Sequence, residues 1–103
     1  MSQEAITTFR ACIPLFNALS DTARQDIILL LAEYDKLSVT EIADQSNLSR
    51  PAISHHLKIL RDVNLVEIEQ KGTLRYYSLS MESSIEQLKQ LISIVEDTCF
   101  TEG

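Results

Sequence analysis

The most chemically distinctive stretch of this sequence is a run of short polar and basic residues between Ser49 and Lys58. Arg50 can donate a paired hydrogen bond to guanine or hold a phosphate. Ser54 and His55 can reach base edges or phosphates, whereas Lys58 is better suited to a phosphate. These residue types, on one short segment, predict a surface that binds nucleic acid.

The charge of the chain is divided unevenly along its length. The 103 residues carry a net charge of −6, which by itself argues against a nucleic-acid partner. Residues 49–79, however, contain five basic and three acidic residues, while the rest of the chain contains four basic and twelve acidic ones. One basic segment therefore lies within an acidic protein, and it is the segment that contains the polar run.

Two short helices must position this run. Ser38 and Glu41 fit a capping box that starts the first helix, which we expect to end near Ser46 and Asn47, with Asn47 in a left-handed conformation. Ser49 is the expected N-cap of the second helix, with Pro51 in its first turn. Inward-facing side chains hold this second helix to a core, and it should end near a left-handed Asn64. These inward residues are Ile53, His56, Leu57 and Leu60.

A β-hairpin follows the two helices. Residues 66–69 alternate apolar and polar side chains, residues 71–73 form a turn around Gly72, and residues 74–79 return as the second strand. Lys71 and Arg75 would contact the DNA backbone or the minor groove beside the helix. Tyr76 and Tyr77 could stack on bases, but alternation in a hairpin favours packing against the helices.

The flanking segments predict helices with apolar faces. In residues 2–19 the apolar residues Ala5, Phe9, Cys12 and Phe16 follow helical spacing, and Pro14 predicts a break near Cys12. Residues 20–22 cap a further helix that runs to about residue 33. Residues 82–100 carry a heptad seam. Its members are Ile85, Leu88, Ile92, Val95 and Cys99. The seam packs either on its own domain or, as we favour, between two copies of the chain.

The predicted order is α-α-α-α-β-β-α, a mainly helical fold with a small hairpin. Helix, turn, helix and basic hairpin together are typical of a winged helix-turn-helix. We expect one domain over residues 1–103, with a dimerisation helix at 1–19, the helix-turn-helix at 38–63, the wing at 66–79 and a second dimerisation helix at 82–100.

From Leu15 to Leu79 the chain resembles the ArsR-type repressors, also called metalloregulator repressors. The segments that carry the likeness are Phe16–Asp21 with Arg24, Leu37–Ala43, Leu48–Leu60, Asn64–Val66, Gly72 and Tyr76–Leu79. The resemblance implies a homodimer, formed through the first and last helices, that represses a promoter by binding an imperfect inverted repeat. It also implies release when an effector binds or a thiol is modified. The expected DNA-binding residues are Ser38, Thr40, Ser49, Arg50, Pro51, Ser54, His55, Lys58, Lys71, Thr73 and Arg75.

The sequence does not support a typical metal sensor. Some metal-sensing relatives carry a cysteine pair in the helix before the DNA-reading helix, but the matching residues 38–42 of this chain contain no thiol. Other relatives bind metal through histidines on the last helix, and the last helix of this chain contains no histidine. Adjacent His55 and His56 point about 100° apart and cannot chelate one ion. Cys12 and Cys99 remain, either as buried apolar side chains, as a thiol switch, or as ligands of a soft ion. We expect no metal and no cofactor.

The residues contain no phosphate loop, metal cluster or nucleophile–base pair, so we expect no enzymatic activity. The expected partners are double-stranded operator DNA, a second copy of the chain, and a small inducer or oxidant, but no membrane. Without a signal peptide the protein should be cytoplasmic. The alternative function is a winged-helix protein interaction module that has lost DNA binding, which the overall acidity motivates.

Overall fold

The computed structural model describes residues 2–100, and the side chains of residues 2–98. Its elements are α1 (Gln3–Ala11), α2 (Ile13–Leu19), α3 (Thr22–Tyr34), α4 (Val39–Asp44), α5 (Arg50–Asp62), β1 (Val66–Lys71), β2 (Leu74–Leu79) and α6 (Glu82–Phe100). The first predicted helix is thus two helices, separated at Cys12, because Pro14 lies in the first turn of α2 and cannot donate a helical hydrogen bond. The predicted break is confirmed.

Side-chain caps explain where the helices begin. Asp21 accepts hydrogen bonds from the first backbone amides of α3, Ser49 accepts one from Ala52 in α5, and Ser38 forms the predicted capping box with Glu41. Asn64 ends α5 with a φ of 61°, as predicted. These local signals place α3, α4 and α5 at their observed positions.

The predicted left-handed residue at the end of α4 is wrong. Helix α4 ends at Asp44, before the expected residues, and Asn47 does not have a positive φ. Within residues 2–100 the non-glycine residues in that region are Asp35 and Asn64. Asp35 ends α3 with a φ of 68°, and its amide donates to the carbonyl of Leu31. The left-handed helix-terminating residue therefore follows α3 and not α4.

The hairpin is antiparallel, with Val66 opposite Leu79 and Lys71 opposite Leu74. Gly72 adopts a φ of 63° at its tip, a conformation that favours glycine. Leu37 forms an additional bridge to Tyr77, with N···O distances of 2.8 and 3.0 Å. The sequence did not predict this bridge, which fastens the hairpin to the segment between α3 and α4.

The core lies beneath α5. Its fully buried members come from α3, α4, α5 and the segment that follows α5, and they are Ile27, Leu31, Ile42, Ile53, Leu57, Leu60 and Leu65. Burying apolar area contributes about 25 cal/mol per Å². Because α5 supplies three of these residues, it is held rigidly by one face while its other face remains free.

Helix α6 packs against α1, and only some residues of the predicted seam are half-buried. Gln87 donates to the carbonyl of Ala11 (3.0 Å), and the buried hydroxyl of Ser84 donates to the carbonyl of Val63 (3.4 Å). Leu91, which is outside the predicted seam, is buried, whereas Ile85 and Ile92 are exposed. The apolar arc of α6 therefore has a buried part and an exposed part.

None of the helices in residues 2–100 combines the length and hydropathy that a membrane crossing requires.

Candidate nucleic-acid interface

Helix α5 presents two different faces. Ile53, Leu57 and Leu60 have no exposed surface, whereas Arg50 and Lys58 on the outer face are exposed. Ser54 and His55 are exposed between them, as the sequence predicts. Since Arg50, Ser54 and Lys58 are four residues apart, they follow one side of the helix over about 12 Å. A rigid helix with exposed donors of this kind is what the major groove of B-DNA admits.

Two of the three serines predicted to contact DNA, Ser38 and Ser49, are helix caps. The hydroxyl oxygen of Ser38 accepts from the amide of Glu41 at 3.2 Å, and that of Ser49 accepts from the amide of Ala52 at 3.3 Å. Both hydroxyl hydrogens can still donate to a phosphate oxygen. Thr40 and Pro51, beside them, are exposed. Capping is therefore the structural function of these serines, and a DNA contact would be an additional one.

Lys58 forms an ion pair along its own helix. Its Nζ lies 3.1 Å from Oδ2 of Asp62, and both side chains are exposed. Exposed pairs of this type contribute about 0–1 kcal/mol. Lys58 can consequently exchange Asp62 for a phosphate at little cost.

The wing residues Lys71, Thr73 and Arg75 are all exposed near the hairpin tip. Lys71 Nζ lies 3.9 Å from a Glu69 oxygen, and Glu69 also binds Lys36. The hydrogen bond from Lys36 is the main cause that lowers the pKa of Glu69, and the same bond raises the pKa of Lys36. The carboxylate of Glu69 partly neutralises the basic wing. A DNA phosphate would therefore have to compete with this carboxylate for Lys71.

A cleft of about 160 Å³ separates α5 from the wing. Ser54, Lys58 and Arg75 line it together with Arg61. Arg61 is exposed and belongs with these residues, although it was not predicted as a contact. Its signal in the sequence was its position three residues after Lys58 on the same helix. The structure thus brings one serine and three basic side chains from α5 and β2 to one cleft, together with the carboxylate of Asp62.

The two adjacent histidines have different environments. His55 is exposed, whereas His56 is half-buried with its Nδ1 3.3 Å from Nη1 of Arg24. The two rings are tilted by 54° with centroids 5.8 Å apart. Within the described residues no group of three or more His, Cys, Asp or Glu side chains could hold a metal ion.

The two hairpin tyrosines and Cys12 pack against the protein rather than project into solvent. Tyr77 is buried in the core, and Tyr76 is half-buried, which supports packing over stacking on bases. Cys12 has no exposed surface. The side chain of Cys99 lies outside the described residues, so its predicted pairing with Cys12 has no geometry to support it.

Comparison with known proteins places this arrangement in a family. Residues 21–67 match the sequence model described as "Bacterial regulatory protein, arsR family". The chain is 33% identical over 81 residues to the transcriptional repressor SdpR of Bacillus subtilis, covering 79% of this chain and 89% of that one. It is 39% identical over 67 residues to the arsenical resistance operon repressor of the same organism, covering 65% of this chain and 64% of that one.

Solved structures agree in fold. An ArsR-like transcriptional regulator from Rhodococcus sp. RHA1 has a TM-score of 0.81 and 26% identity, covering 95% of this chain and 86% of that one. NolR from Sinorhizobium fredii has a TM-score of 0.74 and 29% identity, and the match covers 91% of this chain and 93% of that one. Each match covers more than nine-tenths of this chain, which confirms the winged helix-turn-helix fold. The chain therefore belongs to the arsR family of bacterial regulatory proteins and is a DNA-binding transcriptional regulator rather than an enzyme.

Proposed function

We propose that this regulator is a repressor that binds operator DNA with α5 in the major groove and the wing on the adjacent backbone. The observation that carries the proposal is the exposed row Arg50, Ser54 and Lys58, which lies beside the completely buried face of α5. The names of the relatives, a transcriptional repressor and an arsenical resistance operon repressor, support repression as the outcome of binding.

The contacts divide by chemistry. We assign the base-edge contacts to Arg50, Ser54 and His55, because their side chains extend from the first half of α5. Phosphate contacts fix the position of the protein without reading sequence. We assign these to the newly found arginine and to the remaining predicted residues that have a donor, namely Ser38, Thr40, Ser49, Lys58, Arg61, Lys71, Thr73 and Arg75. Pro51 has no donor, so we assign it a packing contact with the sugar-phosphate backbone.

We further propose that the repressor is a homodimer formed through α1, α2 and α6. Large apolar side chains on these helices remain exposed in the single chain, and they are Phe9, Ile13, Phe16, Ile85 and Ile92. Domains of this size often complete their burial by association. A dimer with twofold symmetry would bind two half-sites, so the operator should be an inverted repeat.

Release from DNA follows, in this proposal, the binding of a small inducer or the oxidation of Cys12 and Cys99. The complete burial of Cys12 favours a role in packing, because an oxidant would reach its thiol only after the surrounding structure opens. Counting free thiols before and after mild oxidation, with DNA affinity measured on the same samples, distinguishes a thiol switch from a role in packing. If oxidation consumes thiols and lowers affinity, the switch is supported; if neither changes, it is wrong.

Selection from a random pool of duplexes tests the DNA-binding proposal. The protein should enrich a sequence composed of two inverted half-sites, whose centres lie about 10 bp or a multiple of it apart. Binding should weaken as salt rises, since phosphate contacts release counterions. Failure to enrich any sequence, with no salt-dependent binding at low ionic strength, would favour the interaction-module alternative.

A further inference from the structure

A groove of about 500 Å³ lies between α3 and the turn that joins α4 to α5. Asp26, Leu29, Leu30 and Glu33 line it from α3, and Leu48 lines it from the turn. None of its lining residues is a predicted DNA contact, and none belongs to α1, α2 or α6. The groove is therefore separate from both the DNA-binding surface and the proposed dimer interface. Its volume is within the usual range of small-molecule sites.

The charges of the groove have one sign. Asp26 and Glu33 are acidic, and among the described residues that line the groove none is basic. The ion pairs found in residues 2–98 involve neither of them. They are seven residues apart on α3, so they lie on one face of the helix, about 10 Å apart along its axis. That separation is too large for the two carboxylates to bind one inorganic cation.

Apolar side chains occupy the space between the carboxylates. Leu29 is 66% exposed, the largest exposed fraction among the described bulky apolar residues, and Leu30 and Leu48 are half-buried. A hydrocarbon chain lying on these leucines would remove apolar area from water. The groove therefore combines two anionic ends with an apolar middle.

We propose that this groove binds an elongated organic dication, in which two ammonium or guanidinium groups are joined by an apolar spacer about 10 Å long. One cationic group pairs with Asp26 and the other with Glu33, while the spacer covers Leu29 and Leu30. A neutral or anionic molecule of the same length lacks one or both of these attractions.

The position of the groove also links it to DNA binding, a step that rests on the proposed function. Residues 45–48 form the far wall, and they lead directly into Ser49, the N-cap of α5. An occupant that contacts both α3 and this turn constrains the start of the reading helix. By linkage, any effect of the dication on DNA affinity must be matched by an equal effect of DNA on dication affinity.

Isothermal titration of the full chain with 1,8-diaminooctane tests the site without DNA. The diamine should bind at millimolar concentrations or below, more tightly than octylamine and 1,8-octanediol, and more weakly as salt rises. Asp26→Asn and Glu33→Gln should each weaken binding about threefold, and together about tenfold. Asp44→Asn removes a neighbouring exposed acid outside the groove and should have no effect.

Absence of binding by the diamine, or equal binding by the doubly substituted variant, would overturn the site. The second arm repeats the titration with a selected duplex present, and the same titration of the doubly substituted variant with the duplex corrects for diamine that binds DNA phosphates directly. A changed diamine affinity supports the link to DNA, and an unchanged one overturns that link while leaving the site in place. Failure of the protein to bind DNA would refute the proposed function but would not alter the first titration.

Discussion

Nη1 of Arg24 lies 3.3 Å from Nδ1 of His56, a contact that joins α3 to the reading helix α5. The same guanidinium donates to the carbonyl of Ala18 at 2.7 Å and to that of Asn17 at 3.1 Å, both at the end of α2. The side chain of Arg24 is only 12% exposed. One arginine therefore connects α2, α3 and α5, and it links a proposed dimerisation helix to the DNA-binding surface.

Arg24→Ala should destabilise the fold by about 2 kcal/mol, because a half-buried guanidinium and its hydrogen bonds to two carbonyls are lost together. Urea unfolding measures the change. Arg24→Lys should recover little of it, since a lysine cannot donate to three acceptors in a planar fork. Arg10→Ala, at an exposed position on α1, is the matched control and should stay within about 0.5 kcal/mol of the wild type. Equal effects at the two arginines would contradict the connecting role.

Ser38→Ala should cost about 1 kcal/mol, because the amide of Glu41 loses its acceptor at the start of α4. The partner hydrogen bond, from the Ser38 amide to Glu41 Oε1, should weaken as the helix end frays. Thermal unfolding compares this variant with Ser83→Ala, which alters an exposed serine in α6 and should have little effect. A stable Ser38→Ala protein would show that the capping box does not hold α4.

Local signals in the sequence predicted most of this fold. Pro14, the capping box at Ser38 and the left-handed Asn64 each act on their own few residues, so the sequence alone placed them correctly. The burial of Leu91 and the Leu37–Tyr77 bridge depend on partners far along the chain, which no local pattern contains.

In the candidate site, too, local patterns were predictable from the sequence and contacts between distant segments were not. The outer face of α5 follows from helical spacing, and the sequence therefore predicted Arg50, Ser54, His55 and Lys58 as exposed. The inclusion of Arg61 depends on how closely the wing approaches α5, and it became evident only from the cleft that the two elements form. The acidic groove escaped prediction for the same reason, since its two walls are brought together by the tertiary fold.

The pair formed by Lys36 and Glu69 should make stability depend on pH. The pKa of Glu69 is lowered from 4.5, so its contribution is present above that value and is lost as the pH falls through the lowered pKa. The pKa of Lys36 is raised from 10.5, so its contribution is present below that value and is lost as the pH rises through the raised pKa. The pair therefore stabilises the hairpin between these two limits.

Melting temperatures of the wild type and Glu69→Gln, recorded from neutral to strongly acidic pH at low salt, test this dependence. The difference between them should be small, largest near neutral pH, and absent once Glu69 is protonated. Added salt should reduce it, because the pair is exposed. Glu67→Gln is the comparison on the same strand and should show a weaker trend, because Glu67 acts on Lys36 only through a smaller Coulombic attraction and without a hydrogen bond. A difference that persists in acid would mean that the ion pair is not its cause.

Ile92→Lys should prevent dimerisation without unfolding the chain, because Ile92 is 57% exposed in the single subunit and lies on the proposed interface. Sedimentation velocity measures the mass in solution. Leu29→Lys makes the same change at an exposed leucine away from α1, α2 and α6, and it should leave the dimer intact. A wild-type protein that sediments as a monomer, or an unaffected Ile92→Lys dimer, would refute the interface.

Fluorescence anisotropy with the selected duplex and an unrelated duplex tests most directly whether α5 reads DNA. Arg50→Ala should weaken binding to the selected duplex by about tenfold or more and affect the unrelated one far less. Lys71→Ala should weaken both alike and reduce the salt slope by about one. Arg10→Ala should change neither affinity. If Arg50→Ala binds the selected duplex as tightly as the wild type, α5 is not the reading helix.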